Sequence, residues 1–191
     1  TCVFMSLSML CQSQEASRNY IEFGSFINTI GLPFKAGNEA IKFNRPLGIR
    51  LSYGQHLEEQ EDWYSNYEIA ATFYRQRHLN TTYQLEGNYV YNYPTSDALV
   101  FAPVASFAYT HTFNDTPTYQ KIKNRYVRRK NSGRSQISIA LGFRLQYNLP
   151  QLPYSMVTQY QYILQLPFAR KGVVWILPQN RNYLGLRRYL E

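Results

Sequence analysis

Cysteine is almost missing from this sequence: the two copies, Cys2 and Cys11, both fall within the first eleven positions. The rest of the chain therefore offers neither a disulfide nor a thiolate metal site. Long apolar runs are missing as well. Beyond the opening dozen residues nothing approaches the roughly 18 consecutive apolar residues of a spanning helix, so a membrane could be crossed only by strands. There is no glycine-rich phosphate loop and no His/Cys/Asp/Glu set at metal-ligand spacing, so no cofactor and no metal is expected. Acidic residues are few, 12 against 20 Lys and Arg, for a net charge of +8. Lysine is confined to Lys35, Lys42, Lys121, Lys123, Lys130 and Lys171, between the segments that read as strands.

What is present is alternation. From Ser135 to Leu149, Ile137, Ile139, Leu141, Phe143, Leu145, Tyr147 and Leu149 share one face, while Gln136, Ser138, Ala140, Gly142, Arg144, Gln146 and Asn148 share the other. A period of two held this long suits a strand crossing a bilayer obliquely, which needs about 9 to 11 residues in hydrocarbon. The second face mixes small residues, amides and one Arg, as the inside of a narrow closed barrel requires. Tyrosine is abundant, with 18 copies, and suits positions where a ring lies in lipid and its hydroxyl reaches the headgroups.

The same pattern predicts seven further strands: Asn19 to Asn28, Pro46 to Gly54, Tyr64 to Tyr74, Thr82 to Tyr93, Leu99 to Phe113, Tyr154 to Phe168 and Tyr183 to Leu190. Pro103 interrupts one of them, and a bulge is expected there because proline deletes a ladder donor. The connections alternate between short and long, and the lysines all fall in the longer set, assigned to the outside. The expected fold is an all-β, eight-stranded antiparallel up-and-down transmembrane β-barrel over residues 14–191. Residues 1–13 read as the remnant of a secretory signal cleaved before Gln14.

These alternating strands, the leader and the cysteine-free remainder resemble the small eight-stranded bacterial outer-membrane β-barrels, OmpA-like in their membrane domain. The final I-L-P-Q-N-R-N-Y-L-G-L-R-R-Y-L is similar to the closing strand of many Bacteroidota barrels, although Leu190 and Glu191 follow Tyr189 where many such chains end on an aromatic residue. The resemblance implies residence in the bacterial outer membrane and an architecture, not an activity. The rival architecture is a soluble calycin-like ligand-binding barrel, with the same alternation turned inside out. It would need Lys, Glu and Asp along the outer strand faces, where this chain has Gly48, Ala70, Ala140, Gly142 and glutamines.

Inside a membrane barrel the ionised groups must pair, since an unpaired buried charge is costly. Arg50, Glu68, Glu86 and Arg144, joined by Glu22 and Arg187, form the expected lumen charge network, with a cation between Glu68 and Glu86 to relieve their repulsion. Eight strands leave room only for side chains, so a plugged lumen is expected. The basic stretch with Lys121, Lys123, Arg125, Arg128, Arg129, Lys130 and Arg134 would read as a nucleic-acid patch in a soluble protein. On a membrane barrel it is assigned to the phosphates of lipopolysaccharide or to a partner protein such as a larger outer-membrane complex, with no nucleic acid. The acidic stretch Glu58, Glu59, Glu61 and Asp62 reads as a hydrated inner turn. An alternative function is a lipid A-modifying enzyme. His111 is the candidate for it, but no Ser lies at a recognisable spacing, and a non-enzymatic envelope-structural or accessory role is preferred.

Overall fold

The computed structural model describes residues 19–30, 46–76, 80–114, 119–122, 125–128, 133–150, 152–166 and 176–190. The leader and the loop residues Lys35, Lys42, Arg45, Arg77, His78, Lys123, Arg129, Lys130, Arg170 and Lys171 lie outside them. The described residues form ten strands: β1 (Asn19–Ile30), β2 (Leu47–Glu59), β3 (Tyr64–Gln76), β4 (Asn80–Pro94), β5 (Leu99–Asn114), β6 (Tyr119–Ile122), β7 (Arg125–Arg128), β8 (Arg134–Asn148), β9 (Tyr154–Leu166) and β10 (Leu177–Leu190). Eight of them close an antiparallel barrel in the order β1-β10-β9-β8-β5-β4-β3-β2, and β6 pairs with β7 as a separate hairpin. Closure by β1 against β10 leaves the barrel without a free sheet edge, as backbone groups in hydrocarbon require.

The polarity is inverted relative to a soluble barrel. Leu51, Ile69, Leu85, Phe107, Leu141 and Leu186 are exposed outward, whereas Glu68, Asn88, Arg144 and Gln161 are buried. An apolar exterior of this kind is stable only against acyl chains, which excludes the soluble calycin-like alternative. Both ends carry aromatic clusters. At the end with the long connections Phe73, Tyr83 and Phe113 pack in sequence at 5.1 and 6.2 Å between ring centroids. At the opposite end, where β1 starts and β10 stops, Trp63 stacks on Tyr91 at 4.4 Å and Tyr91 meets Tyr93 at 5.0 Å. Such girdles mark the two interfaces of a membrane.

Four expectations are corrected. Pro103 causes no bulge: it pairs with Phe143 on β8 in unbroken register, and on the β4 side the ladder only opens between Val90↔Val104 and Tyr93↔Phe101. A residue in an antiparallel strand addresses one neighbour at a time, so a missing donor opens one ladder without inserting a residue. The register shift lies instead between β2 and β3, at His56/Glu58. That shift lets β2 run on through Glu59, so Glu58 and Glu59 belong to a strand, and the acidic turn shrinks to a short reversal closed by Gln60 N–H donating to Trp63 O at 2.8 Å. The connection from 114 to 134 contains the β6–β7 hairpin, which pairs Tyr119↔Arg128 through Ile122↔Arg125.

The last correction matters most for the interior. β10 begins at Leu177 rather than at Tyr183, and residues 177–182 pair in register with β9. Pro178 sits beyond the last residue of β10 that pairs with β1, at a strand start where a lost donor is tolerated.

Candidate functional site

The inward face holds the charge. Glu22 on β1, Arg50 on β2, Glu68 on β3, Glu86 on β4, Arg144 on β8, and Arg181 and Arg187 on β10 are each at most 2% exposed. Alternation explains the placement: each occupies the parity opposite to the lipid-facing Leu, Ile and aromatic residues of its own strand. Arg50 Nη1 donates to Glu22 Oε1 at 2.9 Å, its Nη2 donates to Glu68, and its Nε lies 3.8 Å from Glu86 Oε2. The cation expected between Glu68 and Glu86 is thus Arg50 itself.

Glu68 is the hub. Besides Arg50 it accepts from Arg144 Nη1 at 3.0 Å and Nη2 at 3.3 Å, from Tyr20 OH at 3.1 Å and from Asn88 Nδ2 at 3.2 Å. Arg187 donates to Glu22 Oε2 through Nε at 3.0 Å and Nη2 at 2.8 Å, and through Nη1 to Gln146 Oε1 at 2.6 Å. Arg144 Nε donates to Gln159 Oε1 at 2.7 Å. These bonds carry the desolvation cost that the ions would otherwise leave uncovered.

Arg181, absent from the sequence-based site, crosses the lumen to pair with Glu86, and donates to Gln84 at 2.6 Å and Asn28 at 3.2 Å. Its parity with Tyr183, Gly185 and Arg187 was a usable signal. Pro178 and the outward Asn180 and Asn182 broke the apolar pattern that would have extended the strand.

Four guanidiniums face three carboxylates in this cluster, and aromatic faces take up part of the imbalance. Arg187 lies 3.8 Å from the centre of the Tyr20 ring, Arg181 4.6 Å from Phe26 and Arg50 5.0 Å from Tyr183. Glycine makes room for two of these rings. Phe26 lies where a Cβ on Gly48 would be, and Tyr20 where one on Gly54 would be, so a side chain at either position would expel the ring. Uncharged polar layers lie above and below. Toward the long connections Gln165 donates to Gln136 at 2.7 Å, while toward the opposite end Gln146 donates to Tyr189 at 2.6 Å and Ser155 donates to Asn148 at 2.8 Å.

The basic-stretch residues are distributed differently. Lys121 falls on β6, Arg125 and Arg128 on β7, and Arg134 opens β8 as an exposed residue. Among the described residues no group of His, Cys, Asp and Glu could hold a metal ion.

A second polar cluster lies on the outward face. His111 and Ser135 are partners across the β5–β8 ladder, with Nδ1 3.2 Å from Oγ, and Tyr109 OH lies 2.8 Å from the same Oγ. The expectation that no Ser accompanies His111 is thereby corrected. The two are 24 residues apart in the chain and meet only because β5 and β8 pair. Among the described residues the hydrogen-bonding partners of His111 are hydroxyls. They orient the ring.

No protein-family model matches this sequence, and no curated protein matches it. Solved structures do. Neisserial surface protein A is similar with a TM-score of 0.62 at 11% identity, over 90% of this chain and 97% of that one. Ail, the attachment invasion locus protein of Yersinia pestis, is similar with a TM-score of 0.51 at 15% identity, again over 90% and 97%. Ail has also been solved in complex with the heparin analogue sucrose octasulfate. At these identities the likeness speaks for the fold, and the inverted polarity speaks for the medium. The chain is an eight-stranded transmembrane β-barrel with the fold of the small bacterial outer-membrane barrels, and its apolar exterior belongs in a membrane.

Proposed function

We propose that this protein is a non-enzymatic, envelope-structural or accessory barrel of the outer membrane, with a plugged lumen and with basic outer loops that contact lipopolysaccharide. The observation that carries the reading is the buried ion cluster centred on Glu68, whose members reach across the lumen from six of the eight barrel strands. Side chains bonded to one another across the lumen obstruct a water path, and opening one would require breaking several desolvated ion pairs together. Reconstituted into planar bilayers, the protein is expected to be electrically silent; steady channels of defined conductance would overturn the plug.

The loop reading rests on charge. Lys121, Lys123, Arg125, Arg128, Arg129, Lys130 and Arg134 bring a dense positive field to the end of the barrel that carries the long connections, where phosphates of an anionic glycolipid would be drawn to it. Replacing all seven by Gln should weaken binding to lipopolysaccharide and remove most of its salt dependence. A variant that binds as the parent does would assign the loop to a partner protein, such as a larger outer-membrane complex.

A further inference from the structure

The lipid-facing wall is dented between β4 and β5. Gly87 on β4 and Ala105 on β5 lie among Tyr67, Leu85, Phe107 and Leu141, and together they form a groove of about 770 Å³ with almost wholly apolar walls. The register produces it: Gly87 faces Phe107 and Ala105 faces Tyr89 across the β4–β5 ladder, so each small residue lies beside a large one. Even a methyl group on Gly87 would come within 3.0 Å of the Tyr67 hydroxyl.

The groove leads to the polar cluster on the same wall. Tyr109 lines it, and the Tyr109 hydroxyl is 2.8 Å from Ser135 Oγ and 3.4 Å from His111 Nδ1. The imidazole is held in place on two further sides. Its ring lies 4.6 Å from that of Phe113, and Gly133, at φ 75°, brings its backbone against Nε2 where any Cβ would collide. Only glycine combines that backbone conformation with that approach. Polar groups are costly on a face bathed in hydrocarbon, and two hydroxyls beside an imidazole keep unused donor and acceptor capacity after bonding to one another.

We propose that the groove and the cluster hold one ester-linked acyl chain of a lipopolysaccharide-type lipid. The chain lies over Gly87 and Ala105, and its ester carbonyl accepts a hydrogen bond from the Ser135 or Tyr109 hydroxyl. Three observations favour this occupant. The groove opens onto the apolar exterior, where acyl chains are the solvent. The cluster sits beside the aromatic girdle of Phe73, Tyr83 and Phe113, the depth at which ester linkages lie. The strands that carry His111 and Ser135 are also the two strands joined by the basic connection, so lipid phosphates held by that loop would bring their ester linkages to this spot. The inference rests on the proposed function in assigning the long connections to the outer leaflet and the basic connection to lipid phosphates.

The test is native mass spectrometry of the folded barrel in mild detergent, after mixing with hexa-acylated lipid A. One lipid A should be retained per barrel. Ala105→Trp, which fills the groove, and Ser135→Ala combined with Tyr109→Phe, which removes the ester donors, should each lower retention roughly tenfold, equivalent to about 1.4 kcal/mol. Heat-modifiable migration on gels confirms that each variant is folded. Leu51→Trp on the exterior of β2 should leave retention unchanged. The inference is overturned if Ala105→Trp retains lipid A like the parent, if a phosphatidylethanolamine is retained equally well, or if the groove variants instead dissolve a dimer. Should the seven-Gln loop variant lose lipid A while Ala105→Trp keeps it, the groove fails and the loop reading stands; the reverse pattern overturns the loop alone.

Discussion

β5 lines the lumen with Val100, Ala102, Val104, Ser106 and Ala108, whereas its neighbour β4 presents Gln84, Glu86, Asn88 and Asn92 beside a single valine. Both strands have the same length class, the same alternation and the same lipid on their outer side, yet one wall is small and uncharged and the other is polar. The difference follows from reach. Arg181 crosses from β10 to Glu86 and Gln84, and Arg144 reaches from β8 to Glu68 on β3. Guanidiniums that traverse so narrow a cylinder fill its centre, and the wall they pass must give up side-chain volume. The polar wall anchors the ions; the small wall makes room for them.

The contrast can be broken from either side. The largest effect is expected for Glu68→Ala, which strips the common acceptor from Arg50 and Arg144 and leaves buried cations uncompensated. It should cost about 3–5 kcal/mol, read as a lowered urea midpoint in lipid vesicles. Filling the small wall with Ala102→Leu should cost about 1–3 kcal/mol, because Val90 and Val104 already pack around that position and a larger side chain forces them off their rotamers. If Ala102→Leu proves neutral, the small wall is not a packing requirement and the comparison loses its meaning. The smallest effect is expected for Arg181→Lys, which keeps the charge facing Glu86 but loses hydrogen bonds to Gln84 and Asn28. A loss of about 1 kcal/mol in the same assay would place Arg181 at the periphery of the network; a loss equal to that of Glu68→Ala would make it a second hub.

Much of the interior could be read directly from residue parity. Arg50, Glu68, Glu86, Arg144 and Arg187 each stand opposite the apolar face of their strand, and a strand has only two faces. Arg181 escaped because Asn180 and Asn182 face outward at a strand end, where the apolar rhythm fades near the membrane surface. The hairpin of β6 and β7 escaped because its charged sequence carries no alternation of apolar and polar residues. Pro103 misled in the other direction, since a missing donor is visible in sequence but the side to which it points is not.

The sequence by itself determined that the barrel has eight strands, which faces they turn inward and what medium they meet, because a period of two with one greasy face has few stable solutions once no spanning helix is available. Which charge meets which was decided by closure and register alone. Glu68 and Arg144 are 76 residues apart, and Glu22 and Arg187 are 165 apart. Such pairs are brought within bonding distance only when β1 seals against β10 and the curvature of a closed sheet turns opposite walls toward a common centre. The outward meeting of His111 with Ser135 has the same origin, in a ladder that no spacing along the chain encodes.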